Sequence, residues 1–393
     1  MDNFVFYSPT EFVFGRGTQI RTGELTCKYG GRKVMIVSGG SHAEKSGLLS
    51  EVRESLTAAG IEFTELKGIA PNPMAEPVYT GIELARREKV DFMLAVGGGS
   101  VVDTAKAIAL GVPYDGDFWD FYSNKAVPST ALPVGVVLTI PAAGSEGSGN
   151  SVITKIDELG RHKISVRYPM VLRPRFAVMN PELTLTLPWF QTACGIVDML
   201  AHIFERYFSN TPDCAVTDSV AEGVMRAVIA EARTLTGNPD NYQARANVMW
   251  AGTLAHNGLC GCGKVEDWAS HRLEHELSAF YDVAHGAGLA VMIPAWMSFV
   301  AEKNPGKVEQ FATKVMGVDA ADKTAAGVCK EGIARLLGFY KELGMVTSIR
   351  ELIGREPDIA ALTESLHGNI GDTLGAYVPL SMNDCAEIYR RAL

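Results

Sequence analysis

The sequence has no run of about 20 apolar residues, the length that a membrane-crossing helix needs. Its longest apolar stretches, around Ala131–Ala143 and Leu289–Val300, are shorter and contain proline. It has no basic tract, and its formal net charge is −9, which argues against the phosphate backbone of nucleic acid as a partner. The opening MDNFVFYSPTEF has no cationic segment leading into a long apolar stretch, so no secretory leader is expected. The seven cysteines are odd in number and dispersed, which suits reduced thiols rather than a disulfide framework. Cys260 and Cys262 form the one tight pair, and no second pair completes a zinc-ribbon pattern. These absences predict a soluble cytoplasmic protein that binds neither nucleic acid nor a membrane.

What is present is the composition of an ordinary globular enzyme, 47% hydrophobic and 21% charged over 393 residues, long enough for two domains with their own cores. The first half alternates. Lys33–Ser38, Ile61–Leu66, Asp91–Val96 and Pro133–Leu138 read as short buried strands. Between them, Ala43–Ala59, Val78–Lys89 and a segment from Gly97 to about Leu110 have helical spacing. This pattern predicts a Rossmann-like parallel sheet flanked by helices, with ligands at the carboxyl ends of the strands. From about Pro188 the segments become longer and helical: Leu187–Phe208, Asp213–Thr234, Ala244–Gly258 and Trp268–Phe280. The expected architecture is therefore an α/β dinucleotide-binding domain over 1–183 and an all-α metal-binding domain over 184–393, with the boundary in the turn-rich Asn180–Leu187.

The segment LAVGGGSVVDTAK places Gly97, Gly98, Gly99 and Ser100 between a strand and a helix. Glycines there let the backbone approach a pyrophosphate, whose charge the helix N-terminus favours. Thr139–Gly147 (TIPAAGSEG) is a second polar, glycine-bearing loop after a strand, either a cofactor contact or a plain connection. The turn Ser38-Gly39-Gly40-Ser41 contains no acid to bind a ribose 2′-hydroxyl and repel a 2′-phosphate, although Glu44 is nearby. NADP(H) is thus favoured over NAD(H).

Five of the eight histidines lie between His202 and His285. Asp198 and His202 are four positions apart, as are His271 and His275, so each pair shares a helix face one turn apart. Asp198, His202, His271 and His285 form a set of one carboxylate and three imidazoles suited to one divalent ion, Fe(II) or Zn(II). By spacing, His275 is a fifth ligand, a neighbour of the ligands or a proton shuttle. His42, His162, His256 and His367 stand outside the pattern. Phe118, Trp119, Phe121, Tyr122 and Trp268 would serve either as an apolar pocket for alkyl chains or as core.

With these motifs in order, the sequence resembles the iron-containing (group III) alcohol dehydrogenases, in particular their butanol-dehydrogenase-like, NADPH-dependent aldehyde-reductase branch. The resemblance spans nearly the whole chain, through FVFYSPTEFVFGRG, PNP, GGGSVVDTAK, TIPAAGSE, NPELTLTLP, GIVDMLAHIFERY, NGLCGCGKVEDWASHRLEHELSA and DVAHGAGLAVMIPAW. It implies metal binding by Asp198, His202, His271 and His285, with His275 as an additional active-site histidine. It implies pyrophosphate binding at Gly97–Ser100, and an adenosine 2′-phosphate at Gly39, Gly40 and Ser41. Asp103 and Thr139 match positions near the nicotinamide, Ser145 belongs to the same loop, and Lys163 resembles a cofactor-contacting lysine. Ala143 departs from the commoner threonine. The implied activity is hydride transfer between NADP(H) and a small primary alcohol or aldehyde such as butanol or butanal, by a homodimer, with His275 and Asp103 as catalytic groups. The alternatives are a dehydroquinate-synthase-like lyase, a non-catalytic protein whose histidines bind metal structurally and, within the dehydrogenases, one acting on a polyol or hydroxy acid.

Overall fold

The computed structural model describes residues 1–157 and 160–393. The chain forms two compact units, one of Tyr7–Leu187 and one of Pro188–Leu393 together with Met1–Phe6. The N-terminal residues are tied to the second unit through the Met1 ammonium, which donates to the Pro212 carbonyl at 2.6 Å, and through Asp2 N, which donates to Gly263 O at 3.0 Å.

The α/β unit contains β1 (Glu11–Phe14), β2 (Lys33–Ser38), β3 (Glu62–Leu66), β4 (Phe92–Gly97), β5 (Val134–Leu138), β6 (Asn150–Asp157), β7 (Gly160–Arg167) and β8 (Phe176–Met179). Six of them make one sheet in the order β1-β8-β5-β4-β2-β3, with every pairing parallel. The central strands β4, β5 and β8 are buried at every residue, as parallel strands covered on both faces must be. Because the strands run in the same direction, β2, β4 and β5 deliver Ser38, Gly97 and Leu138 to one edge of the sheet. That carboxyl edge is where such sheets hold ligands.

Two features depart from the sequence reading. The helix expected over Ala43–Ala59 is divided into His42–Lys45 and Leu48–Ala58, because Gly47 between them takes φ +84°, a left-handed value open to glycine. Strands β1 (EFVF) and β8 (FAVM) are apolar runs of only four residues, and β6 and β7 mix polar with apolar residues, so none of the four was expected from the sequence. The hairpin pairs antiparallel, outside the main sheet.

The second unit is built on long helices, among them Trp189–Tyr207, Ala215–Gly237, Tyr242–His256, Ala269–Tyr281, His285–Lys303 and Ala325–Glu342. Their apolar faces form one core that includes Leu200, Phe204, Leu273, Met292 and Leu336. The unit is helical except for a short antiparallel pair, β9 (Thr373–Leu374) with β10 (Leu380–Ser381). Asp267 fixes the turn between them by accepting the backbone N–H of Ala376 and of Tyr377, both at 2.7 Å. Among the described residues, no helix is long and apolar enough to cross a membrane.

Candidate metal centre and dinucleotide cradle

Helix Trp189–Tyr207 is buried along almost its whole length from Thr192 onward, yet carries Asp198, His202, Glu205 and Arg206. Polar groups in such a place are costly unless each finds a partner, so their partners define what the helix is for. Helix Ala269–Tyr281 brings His271, Glu274 and His275, all buried. His285 opens helix His285–Lys303.

The four residues expected as ligands converge. Asp198 Oδ1 lies 3.4 Å from His202 Nε2, 4.0 Å from His271 Nε2 and 3.8 Å from His285 Nε2. Ligands about 2.0–2.2 Å from a tetrahedral ion stand about 3.4 Å from one another, so these separations are of the right size to enclose a single cation. His275 lies beside the cluster, its ring centroid 5.5 Å from that of His285 and 6.4 Å from that of His271.

Two carboxylates that the sequence reading passed over stand behind the imidazoles. Glu205 Oε1 accepts from His271 Nδ1 at 2.7 Å, from Ser270 Oγ at 2.6 Å and from His271 N at 3.0 Å. Glu274 accepts from His285 Nδ1 and from Ser278 Oγ. A carboxylate on Nδ1 keeps the proton there and leaves the Nε2 lone pair facing inward, which is how metal-ligating imidazoles are oriented. His271 Nε2 is itself buried and has no hydrogen-bond partner among the described residues. Burial holds the His202 imidazolium well below its ordinary pKa, and His256 and His271 add to the effect. The ring is therefore neutral, the form that binds metal. The donor set, its spacing and the orphaned Nε2 fit a divalent cation. The missed signal was an acid three residues after a histidine, His202 to Glu205 and His271 to Glu274.

Two glycines let the elements close on the cluster. A Cβ on Gly286 would fall 2.2 Å from the Cys194 carbonyl oxygen, and one on Gly288 would fall 2.6 Å from Glu274 Oε1. The His285-Gly286-Ala287-Gly288 turn of helix therefore seats directly against helix Trp189–Tyr207 and the Glu274 side chain. Trp268 sits with its ring centroid 5.7 Å from that of His202 and 5.2 Å from that of His271. By contrast Phe118, Phe121 and Tyr122 are each at most 2% exposed and belong to the core of the α/β unit. Trp119 stacks on Tyr122 at 5.2 Å.

In the α/β unit, β4 ends at Gly97 and helix Gly99–Gly111 follows at once, with Gly98 at its N-cap. A Cβ on Gly97 would strike Val101 at 2.6 Å and one on Gly98 would strike Ile140 at 2.9 Å, whereas Gly99 has open space within 4 Å. The first two glycines serve close packing, and the third leaves the helix N-terminus open to a ligand. At the parallel turn after β2, a Cβ on Gly40 would also meet nothing within 4 Å, and Ser41 precedes helix His42–Lys45. Thr139 N donates to Gly97 O at 3.0 Å, continuing the β4–β5 pairing into the second loop.

That loop is held from below. Asp103 accepts from Ser145 Oγ at 2.6 Å and from Val152 N at 3.1 Å, so both of its carboxylate oxygens are engaged. Burial raises its pKa against the pull of Lys106. Lys106 is fully buried and donates to the carbonyls of Ser145, Ser148 and Asn150 at 2.6, 2.9 and 2.8 Å. Lys163, on β7, donates to Asn72 Oδ1 at 3.2 Å. Thus Gly97–Ser100, Asp103, Thr139 and Ser145 adjoin one another in this unit, and Lys163 meets the Pro71–Pro73 loop.

The family described as iron-containing alcohol dehydrogenase matches residues 9–181, and its C-terminal counterpart, described as Fe-containing alcohol dehydrogenase family, C-terminal, matches residues 192–393. The chain is 37% identical over 393 residues to the probable NADH-dependent butanol dehydrogenase 1 of Bacillus subtilis, covering 100% of each. It is 34% identical over 400 residues to the NADPH-dependent aldehyde reductase YqhD of Escherichia coli, again covering 100% of each. A crystal structure of NADH-dependent butanol dehydrogenase A from Thermotoga maritima superposes with a TM-score of 0.95 at 39% identity, covering 100% of this chain and 99% of that one.

Proposed function

The chain belongs to the iron-containing alcohol dehydrogenase family, and from that premise we propose that it interconverts small primary alcohols and aldehydes, butanol and butanal among them, with a nicotinamide dinucleotide as hydride carrier. The observation that carries this reading is the convergence of His202, His271 and His285 Nε2 on Asp198 Oδ1. The names of the relatives, butanol dehydrogenase and aldehyde reductase, supply the substrate class.

Asp198, His202, His271 and His285 would hold one Fe(II) or Zn(II). When bound, that ion supplies a Lewis acid for the negative charge that builds on the substrate oxygen, and the nicotinamide supplies or accepts the hydride. The chain's own work is orientation. Glu205 and Glu274 aim two imidazoles, and Gly97–Ser100 with Gly39, Gly40 and Ser41 seat the dinucleotide phosphates. Asp103 acts by fixing Ser145 at the nicotinamide end. His275, beside His285, relays the proton that the substrate oxygen gains or loses.

We read the cofactor as NADP(H) in preference to NAD(H). The acid nearest the β2 turn, Glu44, is already gripped by Arg53 at 2.8 and 2.6 Å and by Lys67 at 3.3 Å. Arg53 first and Lys67 second hold its carboxyl down to about 2. The turn itself offers small polar residues and no uncompensated negative charge to repel a 2′-phosphate. A cytoplasmic location, supported by free thiols at all seven cysteines, and the homodimer that the family resemblance implies complete the proposal. The test is butanal-dependent oxidation of NADPH, and of NADH beside it, by protein stripped with chelator and reloaded anaerobically with Fe(II) or Zn(II). Activity that vanishes on stripping and returns with one ion supports the reading. No turnover with either dinucleotide and either ion overturns it.

A further inference from the structure

The three imidazoles of the centre are not fixed in the same way. His271 and His285 each place Nδ1 on a carboxylate, Glu205 and Glu274. His202 Nδ1 is buried and has no hydrogen-bond partner among the described residues. The imidazole torsion is broad, so without such a partner His202 needs another restraint to keep Nε2 3.4 Å from Asp198 Oδ1.

Packing supplies it. The ring of His256, the last residue of helix Tyr242–His256, lies face to face with that of His202, centroids 4.1 Å apart and planes 22° from parallel. Trp268 closes the side, its ring at 70° to that of His202. Trp268 is itself locked. Its Nε1 donates to Glu266 Oε2 at 2.7 Å, and the Arg206 guanidinium lies 5.0 Å from its ring centroid. Its backbone takes φ 66°, a left-handed value rare for a bulky residue. Arg206 also donates to the His202 carbonyl at 2.6 Å. A ring covered on one face at stacking distance and walled at its edge cannot turn without displacing both neighbours.

We propose that His256 is a positioning residue for the metal centre. By stacking on His202 it does for the third imidazole what Glu205 and Glu274 do for the other two. The proposal rests on the metal reading above. It places the role in the flat ring of His256 rather than in its nitrogens, so phenylalanine should replace it and leucine, of similar bulk, should not.

The experiment measures Co(II) and Zn(II) affinity by chelator competition, with the visible absorption of the Co(II) form, for native protein, H256F and H256L. Thermal unfolding of each metal-free protein is recorded alongside. Native protein and H256F should bind alike, with the same Co(II) spectrum. H256L should bind about tenfold more weakly, the lower end of what losing a ligand-orienting group costs, with a changed spectrum and little change in metal-free stability. H256L that matches native protein in affinity and spectrum overturns the proposal, as does H256F that falls as far as H256L. If H256L does not fold, H256M takes its place with the same expected loss. Native protein that takes up no Co(II) overturns the metal reading and this proposal with it, whereas native uptake with an unaffected H256L counts against the stack alone.

Discussion

Glu205 Oε1 and His271 Nδ1 are 2.7 Å apart, deep in the helical unit, with Glu205 only 1% exposed. The carboxylate gathers three donors on one oxygen, so it is oriented as firmly as the imidazole it orients. Replacing it with glutamine keeps the shape and an acceptor but removes the charge that makes the imidazole a stronger donor to a cation. Glu205→Gln should weaken Zn(II) binding about tenfold, measured by chelator competition. Unchanged affinity would mean that the contact does not tune the centre.

His271 and His275 share one face of one helix, and His271 directs Nε2 at Asp198, at 4.0 Å. His271→Ala should lose the metal and nearly all activity. His275→Ala should keep about one metal per chain while losing turnover, with the loss largest where proton transfer is limiting. Metal analysis of the two purified variants decides between a ligand and a relay. Equal metal loss in both would make His275 a ligand.

How much of this was legible beforehand follows from what each residue must do alone. The parallel sheet was readable because buried strands such as FMLAVG have to be continuously apolar. That Asp198 and His202 share one face was readable because i, i+4 spacing on a helix is geometry written in sequence. Glu205, Glu274 and His256 were not, since each acts through a contact with a residue far along the chain, at separations of 66, 11 and 54 for Glu205–His271, Glu274–His285 and His202–His256. An acid beside a histidine is as common on a solvated helix face. Gly47 escaped for the opposite reason. The apolar spacing runs through it, and only its positive φ breaks the helix.

Gly286 and Gly288 are required by close approach, not by backbone conformation. Gly286→Ala would set a methyl 2.2 Å from the Cys194 carbonyl oxygen, a backbone atom that cannot swing aside. The helices must part, at a cost of about 1–3 kcal/mol or more. Gly288→Ala would press on Glu274 Oε1 and Cγ at 2.6 and 2.7 Å and so displace the partner of His285. Urea unfolding should show Gly286→Ala clearly destabilised, and chelator competition should show Gly288→Ala weakened in metal binding. Gly306→Ala, with nothing within 4 Å, is the neutral control. Equal stability for Gly286→Ala and the control would rule out the tight seat.

Asp267 predicts a pH dependence. Burial, with the nearby Glu205 carboxylate adding to it, raises its carboxyl from 3.8 to about 7. Between those values the folded chain holds a proton that the unfolded chain has released, so unfolding free energy falls as pH rises. The contribution is fully present below about 3.8 and is lost as pH passes about 7. Asp267→Asn keeps an acceptor for Ala376 and Tyr377 but cannot ionise. In chelator-treated protein its stability should decline less steeply over that window than that of the native chain, by urea unfolding at several pH values. Parallel slopes would remove Asp267 as the source.

Lys106 is the residue on which the Thr139–Gly147 loop hangs. Its ammonium is fully buried and reaches the carbonyls of Ser145, Ser148 and Asn150 and the Ser145 hydroxyl, at 2.6 to 3.0 Å. Burial pulls its pKa down to about 8, and the converging carbonyls favour the protonated form that donates to them. Lys106→Met fills the same tunnel with an apolar chain and strips those acceptors of their donor. Each buried carbonyl left without a partner costs about 1–3 kcal/mol, so the variant should be destabilised by several kcal/mol in total. The loop would also be free to move Ser145 away from Asp103, and NADPH affinity, followed by fluorescence of metal-free protein, should fall about tenfold for a loss of about 1.4 kcal/mol. Arg173 donates to the Gly147 carbonyl of the same loop. If Lys106→Met unfolds at lower urea but binds NADPH as the native chain does, Arg173 alone sets the loop's position, and the double variant with Arg173→Met should then lose the cofactor.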